Sequence, residues 1–197
     1  MISVIDFLRN RFISKKQHYE LVVDAYKSSE CRDACVIVID SSNNANGLSI
    51  WKASRDDVTR LYVSPDNIGL DKWWQSCVSR CEQDAGTLSR ESMAKLIKKG
   101  DSSKLTKDIL REFVSFNGTT VSLTEDIEYW RPRAVKPENV AAASQEAYTI
   151  ILDSILKQAL ELYPSRNLIL VGAPGFNSKG VALKYFDYCW PATDESV

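Results

Sequence analysis

The spacing of hydrophobic positions changes along the chain, and the change separates predicted helices from predicted strands. Near the start, apolar residues recur at helical spacing at Ile2, Ile5, Leu8 and Phe12. Ser14 and Gln17 then form a capping-box pattern before a second apolar series that begins at Tyr19. These patterns predict a helical N-terminal segment over residues 1–28.

Two short, continuously apolar runs predict buried strands. Residues 35–40, CVIVID, are rich in β-branched side chains and precede the polar stretch SSNNANG. Residues 167–172, NLILVG, form the second run, and each run is followed by an alternating segment, LSIWKA at 48–53 and VALKYFDY at 181–188. The alternation predicts two further strands, of which 48–53 returns as a partner of the first run and 181–188 is half exposed.

Helix signals occupy the middle of the chain. Ser54 and Asp57 match a capping pattern, and further start and stop signals predict a mostly helical region over residues 55–110. Pro137 begins a long apolar-periodic series that predicts a helix to about Tyr163.

The stretch EFVSFNGTTVSL, residues 112–123, predicts a hairpin. Asn117 and Gly118 separate its two alternating runs and readily adopt the positive φ angles of a tight hairpin turn. The competing interpretation is a helix from Thr106 that continues through Phe113.

The order of these elements favours an α+β fold, with a mixed or mainly antiparallel sheet packed with several helices. A Rossmann-like α/β core is the alternative architecture. The length of 197 residues and the lack of a low-complexity linker predict one compact domain over 1–197, with a frayed tail at 191–197.

Charge and hydropathy limit the cellular compartments and the classes of partner that suit this protein. Lys plus Arg total 25 and Asp plus Glu total 26, so the net charge of −1 argues against general nucleic-acid binding. Asp6, Arg9 and Arg11 interrupt the apolar start, which therefore lacks the uninterrupted core of a signal peptide. Since no window of 18 consecutive apolar residues occurs either, we expect a cytoplasmic protein that does not enter membranes.

The five cysteines fit reduced thiols rather than a disulfide framework. Cys31 and Cys35 are four residues apart, as are Cys77 and Cys81. Two such pairs suit either ordinary core packing or a four-thiolate zinc site, and the sequence does not show whether the pairs meet.

The stretch LILVGAPGFNSKG, residues 168–180, resembles a phosphate-binding loop in composition but fails its spacing. A P-loop needs a second glycine five residues after the first, where this chain has Asn177, and a lysine directly after that glycine, so Lys179 falls one residue too late. The pattern predicts a turn between two strands, with Phe176 and Lys179 as loop residues that could contact a partner.

The clearest candidate for chemistry follows the first strand. Asp40, Ser42 and Asn44 alternate and all offer oxygen, the ligand type that divalent cations prefer. Over these five residues the spacing resembles the DxSxS metal-dependent adhesion motif of von Willebrand A domains, with Asn44 in place of the final serine. The pattern predicts a site for a divalent cation, and the alternative is a turn in which these side chains bind backbone N–H groups.

Other catalytic patterns are missing from the sequence. His18 is the only histidine, stands beside lysines in a predicted helix, and is expected to be exposed or to cap that helix. Neither GxSxG nor HExxH occurs, although two distant carboxylates could still meet.

These observations favour a binding protein over an enzyme. We expect a cytoplasmic protein-binding module without a cofactor, because aromatic residues and arginine anchor many interfaces. An inhibitor of immunity or antitoxin type fits the size and the near-neutral charge of the chain. The predicted contact residues are Trp130, Arg131, Pro174, Phe176 and Lys179. The alternative is a magnesium- or manganese-dependent hydrolase or nuclease-like phosphoryl-transfer enzyme that uses Asp40. A sensor of small ligands is a third hypothesis.

Overall fold

The computed structural model describes residues 18–39, 47–64, 70–85, 88–102, 105–117, 120–123, 136–173 and 175–191. In chain order these residues form α1 (18–28), β1 (Asp33–Ile39), β2 (Leu48–Ser54), β3 (Val58–Val63), α2 (Leu70–Ala85), α3 (Arg90–Lys99), α4 (Leu105–Phe113), β4 (Val114–Asn117), β5 (Thr120–Leu123), α5 (Pro137–Leu162), β6 (Asn167–Val171), α6 (Ser178–Ala182) and β7 (Tyr188–Trp190).

Five strands form a mixed sheet in the order β3-β2-β1-β6-β7. β1 pairs antiparallel with β2 on one side and parallel with β6 on the other. β6 in turn pairs parallel with β7, while β2 pairs antiparallel with β3. The mixed sheet with its packed helices confirms the predicted α+β fold.

The sheet is buried on both faces, and β1 shows why. Cys35, Ile37 and Ile39 contribute to the apolar cluster that includes α5, whereas Val36 and Val38 pack in the cluster that includes α1. Side chains alternate across a strand, so a continuously apolar run belongs where both faces are covered. Full burial of each such aliphatic side chain stabilises the fold by about 1.5–3 kcal/mol.

Helix α5 is the main helix on its face of the sheet. Its buried side chains include Ile151, Ile155 and Leu156, and α2, α3 and α4 pack against it. Gly100, which follows α3, fits because a Cβ there would lie 1.8 Å from the carbonyl oxygen of Glu138. The predicted helix from Pro137 is confirmed, ending at Leu162.

The predicted hairpin is confirmed, and so is the helix that competed with it. α4 continues through Phe113, and β4 begins at the next residue. β4 and β5 pair antiparallel, with Asn117 opposite Thr120. Both patterns were therefore present in one stretch, with the boundary at Val114.

Two local predictions are wrong. No helix begins at Ser54, because its hydroxyl and amide bind the carbonyl of Asp57 and turn the chain directly into β3. Residues 178–182 form the helix α6, and β7 begins only at Tyr188, so the strand predicted over 181–188 is wrong. β6 and β7 are parallel and joined through this helix, where the sequence had predicted a turn between two strands.

Asp33 connects the start of β1 to the segment that leads from α5 into β6. Its carboxylate accepts hydrogen bonds from the hydroxyls of Tyr163 and Ser165, the latter at 2.9 Å. Its backbone carbonyl accepts a 2.8 Å bond from the side-chain amide of Asn167. The bond to Asp33 raises the pKa of Tyr163 to about 12, so this hydroxyl stays a donor at neutral pH.

We expect Asp33→Ala to lower the free energy of unfolding by about 1–3 kcal/mol, because it leaves two partly buried hydroxyls without their acceptor. Asp187→Ala is the matched control, since its carboxylate pairs at 3.5 Å with Arg166 on an exposed surface. That control should change stability by less than about 0.5 kcal/mol. Urea denaturation measures both, and equal losses in the two variants would contradict the role of Asp33.

Candidate functional site

The carboxyl ends of β1 and β6 lie side by side, with Val38 paired to Val171. From this edge the chain continues to β2 on one side and, through α6, to β7 on the other. Open sheets that contain parallel strands commonly bind ligands beyond such a switch point. This edge of the sheet is therefore a candidate position for a ligand-binding site.

Several of the predicted site residues lie outside the described residues. They are Asp40, Ser42, Asn44, Trp130, Arg131 and Pro174. The metal hypothesis and the Trp130–Arg131 contact therefore stay predictions. Within the described ranges, no three His, Cys, Asp or Glu side chains are grouped so as to hold a metal ion.

Gly172 begins the segment that follows β6, and its backbone lies close to β1. Its φ angle is 77°, and a Cβ would lie 2.1 Å from the carbonyl oxygen of Ile39. Only glycine fits such a close approach with a positive φ angle. The close approach of two strand ends therefore explains this glycine without a bound phosphate.

Phe176 is held in place by α5 and two other helices. The side-chain amide of Gln145 donates to the Phe176 carbonyl at 2.9 Å and accepts from its amide at 3.1 Å. The Phe176 ring contacts Trp74 at 6.0 Å between centroids, and the Arg90 guanidinium lies 4.6 Å from its centroid. The structure thus gives this predicted contact residue a packing role, with the ring half buried.

The rest of the loop packs on Tyr148. The buried Tyr148 hydroxyl lies 2.9 Å from the Ser178 hydroxyl, which also bonds the Gly175 carbonyl at 3.2 Å. A Cβ at Gly175 would lie 2.3 Å from the Tyr148 ring. Ser178 begins α6, which has five residues and contains the half-buried Lys179. The contacts of Ser178 and Gly175 point into the protein, in agreement with the failed P-loop spacing.

His18 is buried, and the prediction of an exposed or capping histidine is wrong. Its Nδ1 lies 2.7 Å from the Ser49 hydroxyl, which also accepts a 2.7 Å bond from the indole N–H of Trp51. Ser49 is 0% exposed, so this serine is closed to a substrate. The three side chains attach α1 to the sheet, a role that the lysines beside His18 in the sequence concealed.

The four paired cysteines do not gather in one site. Cys31 packs with the cluster on the α1 face, whereas Cys35, Cys77 and Cys81 pack in the cluster on the α5 face. None of the five cysteines forms a disulfide, and burial raises the pKa of the Cys35 and Cys77 thiols to about 12. The separation of Cys31 from the other three, and the raised pKa of the Cys35 and Cys77 thiols, support ordinary core packing over a four-thiolate zinc site.

A surface at α5 and α6 was missed by the sequence analysis. We call it the lysine–aliphatic surface, and it consists of Ile150, Asp153, Lys157, Leu183, Lys184 and Tyr185. The Tyr185 hydroxyl donates to Asp153 at 2.5 Å, and the Lys157 ammonium lies 2.8 Å from the same carboxylate. These bonds, that of Lys157 first, lower the pKa of Asp153.

The aliphatic members of this surface are exposed, Leu183 at 45% and Ile150 at 37%. Ile150 precedes Asp153 by about one turn of α5, and Leu183 caps α6 through its amide bond to the Lys179 carbonyl. The strand predicted over 181–188 put Leu183 in a sheet and so hid this arrangement. The available signal was Ile150, an apolar residue beside the charged positions of α5.

Within the described ranges, none of the helices combines the length and apolarity needed to cross a membrane. Comparison of the sequence with models of known protein families gives no match, and comparison with curated proteins gives no significant match.

Proposed function

We propose that this protein works by binding another protein through the lysine–aliphatic surface. The observation that supports the proposal is the exposure of Leu183 and Ile150 beside the hydrogen-bonded group of Tyr185, Asp153 and Lys157. Single exposed aliphatic residues are common, but apolar side chains bordered by ordered polar groups are typical of interaction sites.

The polar group also lowers the cost of binding. The Tyr185 hydroxyl is held by Asp153, and the Lys157 ammonium lies 5.9 Å from the centre of the Tyr185 ring. Side chains that are already ordered lose little conformational entropy when a partner arrives. The surface can therefore offer a defined shape next to its two exposed aliphatic residues.

We further propose that the protein acts in the cytoplasm as an inhibitor of immunity or antitoxin type. A chain of 197 residues with a net charge of −1 fits such a role. Because Phe176 in the β6–α6 loop is engaged by Gln145 and Arg90 within the protein, we place the partner contact at the surface around Leu183 instead.

We expect Leu183→Ser to reduce partner recovery by about tenfold, the effect of losing one well-placed apolar contact. Leu21→Ser is the matched control, because Leu21 is 38% exposed on α1, which covers the opposite face of the sheet. The purified proteins would be immobilised in lysate from the source cells, and recovered proteins quantified by mass spectrometry. Equal recovery by Leu183→Ser and Leu21→Ser, or no saturable partner for the unaltered protein, would contradict the proposal.

The sheet topology favours a second candidate function, metal-dependent phosphoryl transfer. Asp40 follows Ile39 directly in the chain, and Ile39 ends β1 at the switch point beside β6. A carboxylate at this edge would serve as a ligand for magnesium or manganese, which neutralises charge that develops on a transferring phosphoryl group.

If the protein has this second function, Asp40→Asn should lower the rate of magnesium-dependent cleavage of RNA, DNA or a small phosphodiester by roughly a hundredfold or more. Asp187→Asn serves as the control, since this exposed carboxylate pairs with the surface residue Arg166 at 3.5 Å. Circular dichroism would verify that both variants fold. Absence of metal-dependent cleavage, or cleavage unchanged by Asp40→Asn, would reject this function.

A further inference from the structure

We infer that the lysine–aliphatic surface takes an acidic peptide segment with aliphatic side chains, supplied by a partner protein. This inference rests on the proposed function and adds the chemistry of the partner. It follows from how charge and apolar area are distributed over the surface.

The cations of this surface are more exposed than its carboxylate. The side chain of Lys157 is 59% exposed and that of Asp153 is 26% exposed. Lys184, also exposed, acts on the Asp153 carboxylate and lowers its pKa together with Lys157 and Tyr185. The surface thus has two ammonium groups and one carboxylate, which is paired with Lys157, so its three charged side chains present a net positive charge to an approaching partner.

Neighbouring residues define the extent of this cationic area. Lys179 lies one turn before Leu183 on α6. On α5, Glu146 precedes Ile150 by a turn and accepts a 2.8 Å bond from Thr106, and Glu161 follows Lys157 by a turn. On α5 the cationic area is thus bordered by Glu146 and Glu161, and it continues onto the residues that follow α6.

The apolar residues favour an acidic peptide over nucleic acid. Beside a phosphate backbone, Leu183 and Ile150 would gain no stabilising contact, because aliphatic side chains do not interact favourably with charged, hydrated phosphates. The aromatic ring of Tyr185 is half buried, with its hydroxyl on Asp153 and Lys157 near its ring, so it offers no open platform for base stacking. A peptide with Asp or Glu beside Leu or Ile uses both parts of the surface.

The two parts of the surface should contribute differently to binding. Exposed lysines steer an acidic partner and make its association rate depend on salt. The aliphatic side chains supply the apolar area whose burial stabilises the complex. Binding should therefore weaken with added salt and also depend on Leu183.

Selection from a displayed library of random peptides tests the inference with the full chain as the target. We expect the enriched peptides to contain an excess of Asp or Glu together with Leu or Ile. The strongest synthetic peptide should bind at least about tenfold more weakly to Leu183→Ser and to Lys157→Glu/Lys184→Glu. Leu21→Ser, altered on the opposite face, should bind it as the unaltered protein does.

The outcomes separate the two claims. Enriched peptides that depend on Leu183 but carry no acidic excess would overturn the acidic partner and leave the protein-binding function standing. Peptides that bind Leu183→Ser as tightly as the unaltered protein, or the absence of any enriched peptide, would overturn both. Tight binding of an oligonucleotide that is lost in Lys157→Glu/Lys184→Glu but retained in Leu183→Ser would also overturn the inference.

Discussion

Burial of β1 on both faces is the constraint on which the other described elements depend. Val36, Ile37 and Val38 are each 0% exposed, so α1 and α5 must cover opposite sides of the same strand. Hydrogen bonding to β2 and β6 satisfies the backbone of this strand between two apolar layers. At one end of this strand the hydrogen bonds of Asp33 align the neighbouring chain segments, and at the other end the close approach of the Gly172 backbone to Ile39 does so.

The same constraint places the chemistry of the molecule at its margins. Several residues that the sequence analysis considered as functional candidates pack helices against the sheet or against each other, among them His18, Cys77 and Phe176. The exposed combination of Leu183 with Lys157 and Lys184 lies on the outer side of the α5 layer, where the packing of the sheet makes no demand on it. Apolar side chains kept at such a position support a role in binding.

The sequence predicted the elements whose stability depends on local pattern. The apolar run of β1, the start of α5 at Pro137 and the β4–β5 hairpin were all predicted from residues close together in the chain. The elements it missed depend on distant partners: β3 forms because β2 offers it an edge, and His18 is buried because Ser49 lies 31 positions away. For the same reason the hydrogen bond from Tyr185 to Asp153, which joins the two parts of the lysine–aliphatic surface, had no local signal.

Native-state hydrogen exchange would test the central role of β1 most directly. Amides of Val36, Ile37 and Val38 should exchange only through global unfolding, with an opening free energy equal to that from urea denaturation. Amides of the edge strand β3, which has one partner strand among the described residues, should open at a lower free energy. If the β1 amides exchanged as readily as those of β3, the doubly buried strand would not be the element on which the fold depends.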